Sequence, residues 1–121
     1  MSRHHPKGCV IELSVISRER GDRTVVEVSG EVDVYTAAIL REKLVDLIDA
    51  HHTDLVVDLT GVGFLDSTGL GVLVGALKKI RGSGGRLQLV IDQDKVMKVF
   101  RITALDQVFT IHEDLEAALA D

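Results

Sequence analysis

A lone serine, Ser67, stands between an aspartate and a threonine in the run Leu65-Asp66-Ser67-Thr68-Gly69-Leu70-Gly71-Val72-Leu73. An apolar stretch ends just before it, and apolar residues recur at helical spacing just after it. A hydroxyl at such a junction can accept a phosphoryl group, because the start of a helix tolerates negative charge. Small residues on the following turns would let another protein's backbone come close. Two plainer readings compete with this one. Ser67 and Asp66 are both favoured N-cap residues, so the pair could simply start the helix. Gly71 and Gly75 each cost about 1 kcal/mol relative to Ala inside a helix, and they could lie under a neighbouring loop.

The charge arithmetic separates fold from recognition. A phosphate on Ser67 would add about −1.5 to −2 charges. Within the domain the helix dipole returns about 0.3–1 kcal/mol, which offsets part of the repulsion from Asp66. Across an interface, a unit charge about 6 Å from a like charge costs about 2–3 kcal/mol at an effective dielectric near 20. A near-dianion facing a partner carboxylate would then cost about 4–5 kcal/mol, on the order of a thousandfold in affinity. Binding would switch while folding survived.

Other chemistries fail on their residues. A phosphate-binding P-loop needs Lys after its closing glycine, and Gly69 is followed by Leu70. Gly61-Val62-Gly63 lacks the third glycine of a dinucleotide fingerprint, since Asp66 stands in its place. Ser67 is outside any Gly-x-Ser-x-Gly elbow and has no histidine nearby in sequence. His4-His5 and His51-His52 have no cysteine or acidic partner at zinc spacing. No cofactor, metal or catalytic activity is expected. Cys9 reads as a small apolar residue, and with one cysteine no internal disulfide can form.

Composition narrows the partners. In 121 residues the net charge is −5 and aromatics make up 3%, which disfavours both phosphate-backbone and base-stacking contacts with nucleic acid. Neither a membrane span nor a signal peptide is expected, because the apolar run from Leu70 stops at Lys78-Lys79 and the first residues are polar. A cytoplasmic setting is the default.

Several elements must position the serine. Residues 1–10 read as a flexible tail and 11–121 as one domain. Ile11, Leu13 and Val15 alternate as a strand, Arg20-Gly21-Asp22 turns, and Thr24–Val28 returns as its hairpin partner. Thr36 reads as the N-cap of a helix to about Ala50, with Ala37, Leu40, Leu44, Leu47 and Ile48 on its core face. Asp54–Leu59 reads as a strand buried on both faces. The helix after Ser67 runs to about Arg81, with Leu70, Leu73, Val74 and Leu77 inward, Ile80 at the edge, and Thr68, Gly71, Val72, Gly75 and Lys79 opposite. A strand over Arg86–Ile91, a helix from Asp94, an edge strand over Val108–Ile111 and a helix over Glu113–Ala120 complete an α/β pattern.

These residues carry a family resemblance. Gly30-Glu31-Val32-Asp33 and the segment Val56-Val57-Asp58-Leu59 through Phe64-Leu65-Asp66-Ser67-Thr68-Gly69-Leu70-Gly71 resemble the two signature stretches of the anti-sigma factor antagonists, the stand-alone STAS domains of bacteria. Val99-Phe100-Arg101-Ile102-Thr103-Ala104-Leu105 is a weaker third match, and the similarity spans about Ile11 to Ala120. The resemblance implies a STAS fold: a mixed, mostly parallel sheet of four to five strands flanked by about four helices. It implies that the unphosphorylated protein binds an anti-sigma factor, itself a serine kinase, and so releases a sigma factor for stress or sporulation genes. Phosphorylation at Ser67 would end that binding, and a PP2C-type phosphatase would restore it. Asp33 would contact or orient the phosphosite, and Asp66, Thr68, Gly69, Gly71, Val72 and Gly75 would form the docking surface. A monomer or weak dimer is expected. The alternative is a STAS subunit of a transport system or a nucleotide-binding sensor module.

Overall fold

The computed structural model describes residues 13–121; the tail over 1–10, Cys9 and the strand start expected at Ile11 lie outside the described residues. β1 (Leu13–Arg20) turns at Gly21-Asp22 into its antiparallel partner β2 (Arg23–Val32). β3 (Asp54–Leu65), β4 (Arg86–Val90) and β5 (Thr110–His112) then add in parallel, giving a five-stranded sheet in the order β1-β2-β3-β4-β5. The crossovers are α1 (Ala37–Asp49), α2 (Ser67–Gly82) and α3 (Asp94–Ile102), and α4 (Leu115–Ala120) follows β5. The mixed, mostly parallel architecture is the one the element order implied.

Alternation along the strands sorts the side chains into two layers. Val26, Val28, Leu55, Val57, Leu87 and Leu89 join Leu40, Leu44, Leu73, Leu77, Ile80 and Phe100 of the helices in the main core. Val25, Val56 and Val90 point the other way and meet Leu115, Ala118 and Leu119 of α4. Phe100 meets Phe109 edge-on at 5.8 Å, so a chain poor in aromatics places two of its three phenylalanines together. The core stripe of α1 is the expected one. In α2, Val74 is only half-buried and Ala76 is buried instead, which rotates the stripe slightly from its expected position.

Strands β2 and β3 are both longer than their periodicity predicts. Register shifts between Glu27 and Ser29, and between Gly30 and Glu31, break the two-residue alternation while the ladder continues. Gly30 sits at φ 112°, a conformation that a Cβ would strain. Gly30-Glu31-Val32 therefore ends strand β2 rather than following it. The expected strand at Val108 begins at Thr110, because Leu105–Gln107 forms a 3-10 turn whose Leu105 carbonyl accepts from the N–H groups of Val108 and Phe109. β4 stops at Val90, one residue early. α4 starts at Leu115 rather than Glu113, since the Asp114 carboxylate caps it by accepting from Ala117 N–H at 2.8 Å.

Past the end of α1, exposed His51 takes a left-handed conformation at φ 71°. Glycine adopts that geometry without the Cβ penalty. His51→Gly should raise stability by about 1 kcal/mol, read as a higher urea midpoint at unchanged slope.

Candidate functional site

The site begins with the pairing of β2 and β3 at their C-terminal ends. Val32 lies opposite Leu65, and the N–H of Asp66 donates to the Val32 carbonyl at 3.2 Å. Asp33 and Ser67 each follow one residue beyond that bond, on adjacent chains leaving the same edge of the sheet. The expected neighbourhood of Asp33 and the serine is thus built by main-chain register.

Asp33 organises its own loop. Its Oδ1 accepts from the N–H groups of Tyr35 at 2.9 Å and Thr36 at 3.0 Å, and its carbonyl accepts from Ala37 N–H at 2.9 Å. The Thr36 hydroxyl accepts from Asp33 N–H at 2.9 Å and donates to the Glu31 carbonyl at 2.7 Å. Thr36 is the N-cap of α1, as its type and place imply, but its side chain makes no capping bond. Its buried hydroxyl ties the loop back to β2 instead. The Thr36 N–H above all, with smaller help from Tyr35 N–H, holds the Asp33 carboxyl below its ordinary range, against a partial burial that acts upward.

Asp66 is the N-cap of α2. Its Oδ1 accepts from Thr68 N–H at 2.9 Å and from Gly69 N–H at 3.2 Å. Ser67 is the first helical residue and is exposed, and its hydroxyl makes no hydrogen bond among the described residues. The choice between the two cap candidates therefore falls on Asp66. A carboxylate already occupies the favourable seat for an anion at this helix start. A phosphate on Ser67 would stand beside that carboxylate, on the solvent side, with much of the compensating dipole in use.

The glycines of α2 divide into two kinds. Gly69 is buried, and a Cβ there would meet Leu65 Cδ1 at 2.5 Å and Val32 Cγ1 at 2.6 Å. It lets α2 sit close on the ends of β2 and β3, so burial rather than surface docking explains this position. Gly71 and Gly75 are exposed, and an added Cβ at either would meet nothing within 4 Å. No loop among the described residues covers them. With Thr68, Val72, Arg41 and Lys79 they line a groove of about 380 Å³ between α1 and α2. Lys79 is held across it by Asp49 at 3.2 Å.

Comparison with known proteins agrees with this geometry. The STAS domain family model matches residues 14–118. The chain belongs to the STAS domain family. It is 36% identical over 109 residues to an anti-sigma-B factor antagonist of Bacillus subtilis, covering 90% of this chain and 99% of that one. An anti-sigma-B factor antagonist of Staphylococcus aureus is 36% identical over 91 residues, 75% of this chain and 84% of the relative. Among solved structures, an anti-sigma factor antagonist from Mycobacterium paratuberculosis aligns with a TM-score of 0.85 at 28% identity, covering 90% of this chain and 92% of that one.

This STAS domain also exposes apolar side chains that residue patterns did not single out. Val34 is 61% and Tyr35 86% exposed in the Asp33 loop, Ile39 stands out from the first turns of α1, and Phe64 from the end of β3. A signal was present. Val34-Tyr35 puts two apolar residues in a loop, and Ile39 lies off the core stripe of α1. Exposed apolar surface of this kind is what interfaces bury.

Gly69→Ala should destabilise the domain by about 1–3 kcal/mol through overpacking, whereas Gly75→Ala should stabilise it by about 1 kcal/mol; thermal or urea unfolding of the two variants checks the contrast. Asp33 supplies a pH test. Its folded-state pKa lies below the ordinary aspartate value, so its contribution is complete above that ordinary value and is lost as pH falls through the folded one. The stability difference between the native protein and Asp33→Asn should therefore shrink below about pH 4, measured by urea titrations at each pH.

Proposed function

We propose that this STAS domain is an anti-sigma factor antagonist switched by phosphorylation of Ser67. The unphosphorylated form binds an anti-sigma factor and so releases a sigma factor. The anti-sigma factor is also a serine kinase that modifies Ser67, which ends the complex, and a PP2C-type phosphatase restores the binding form. The domain itself catalyses nothing. The observation that carries this reading is the exposed Ser67 hydroxyl at the first position of α2, with Asp66 already spent as the cap. The relatives named as anti-sigma factor antagonists support the partner class.

Each surrounding group has a part in this reading. The Asp33 carboxylate, kept ionised by its own loop, orients the partner's groups around the serine. Thr68, Gly71, Val72 and Gly75 offer a bare helix face for close approach. Val34, Tyr35, Ile39 and Phe64 supply apolar area, and Gly69 keeps α2 seated from beneath. A phosphate on Ser67 brings a second anionic group against Asp66 at the centre of that face. Folding tolerates it, because the serine lies in water. Docking does not, because the partner would have to desolvate both charges together.

The experiment is phosphorylation with binding. Incubation with the anti-sigma factor kinase and ATP should add one phosphate, seen by intact mass, and Ser67→Ala should abolish the addition while retaining binding. Ser67→Asp should weaken binding tenfold or more, by about 1.4 kcal/mol, with a melting temperature within a degree or two of the native protein. Phosphate uptake that persists in Ser67→Ala, or loss of folding in Ser67→Asp, would refute the assignment.

A further inference from the structure

The face of the sheet away from the main core carries an unusual residue. Val25, Val56, Gln88 and Thr110 form one row across β2, β3, β4 and β5, and α4 lies over this face. Gln88 is 2% exposed, and neither its amide nitrogen nor its oxygen has a hydrogen-bond partner among the described residues. The side chains clustered on this face, Val25, Val56 and Val90 with Leu115, Ala118 and Leu119 of α4, are apolar and offer it nothing. A buried amide without partners opposes the docking that buries it.

Two arginines of the sheet reach the last main-chain oxygens of α4. Two residues back along the strands, Asp54 lies 3.5 Å from both Arg23 Nε and Arg86 Nε. Arg23 donates to the Ala118 carbonyl at 2.6 Å and also to the main-chain oxygen of Asp121, and Arg86 donates to that oxygen at 2.9 Å. His112 Nε2 stands 3.4 Å from the Asp121 carboxylate. Cations at the last carbonyls of a helix are favourable, but exposed pairs weaken as salt rises. The apolar seat is small by comparison: Ala118 is fully buried, and Leu115 and Leu119 only partly.

We propose that α4 is a charge-latched cover that lifts from the sheet while the rest of the domain stays folded. Lifting gives the Gln88 amide to water and bares the Val25, Val56 and Val90 strip next to Arg23 and Arg86. This is independent of events at Ser67.

Hydrogen exchange of the full chain, read by mass spectrometry, tests it. The amides of α4 should exchange at least about tenfold faster than those of Leu55–Leu59. That α4 rate should rise severalfold between about 50 and 500 mM salt, and again in Arg86→Gln. Gln88→Met, similar in volume and without hydrogen-bonding groups, should slow it about tenfold. Exchange of α4 at the rate of β3 would mean that it opens only with global unfolding and would overturn the proposal. So would an α4 rate unchanged by salt or by Gln88→Met.

Discussion

The hydrogen bond from Asp66 N–H to the Val32 carbonyl closes the parallel pairing of β2 with β3 at the sheet edge where both chains leave. The rest of the site depends on that registration. A slip of one residue would turn Leu65 and Val32 out of the core, where both are now buried. It would also part Asp33 from the start of α2. Gly69 belongs to the same constraint, because a methyl group there would push the helix away from the two side chains that close the strands.

The chain divides its carboxylates between structure and surface. Asp66 and Asp33 each accept two main-chain N–H groups within three residues of themselves, and so fix the two turns that present the serine. Ser67 is left with no structural bond among the described residues. The carboxylates of Asp33 and Asp66 are instead committed to the two turns beside it.

The opposite face is held by different means. The main core is a continuous apolar layer under α1, α2 and α3, whereas α4 rests on a few small residues and a pair of arginines. One domain therefore carries a rigid presenting edge and a loosely seated terminal helix, and the sheet between them keeps the two apart.

The order of the elements, the core stripe of α1 and the junction at Ser67 were all legible in the residues, because each follows from local spacing and end signals. Strand ends were not. β2 and β3 run on through bulges that erase alternation, and only their mutual pairing carries them to Val32 and Leu65. Nor could spacing choose the cap between Asp66 and Ser67, since both residue types suit the position and the choice depends on which backbone turns first. Gly69, Gly71 and Gly75 of α2 look alike in the chain. Which one is buried, Gly69, and which lie open, Gly71 and Gly75, depends on where the helix meets strands that are distant in sequence. Residue types and their order were enough to place Ser67 at the start of a helix. Packing between remote segments chose which of its neighbours would be structural and which would be left facing the solvent.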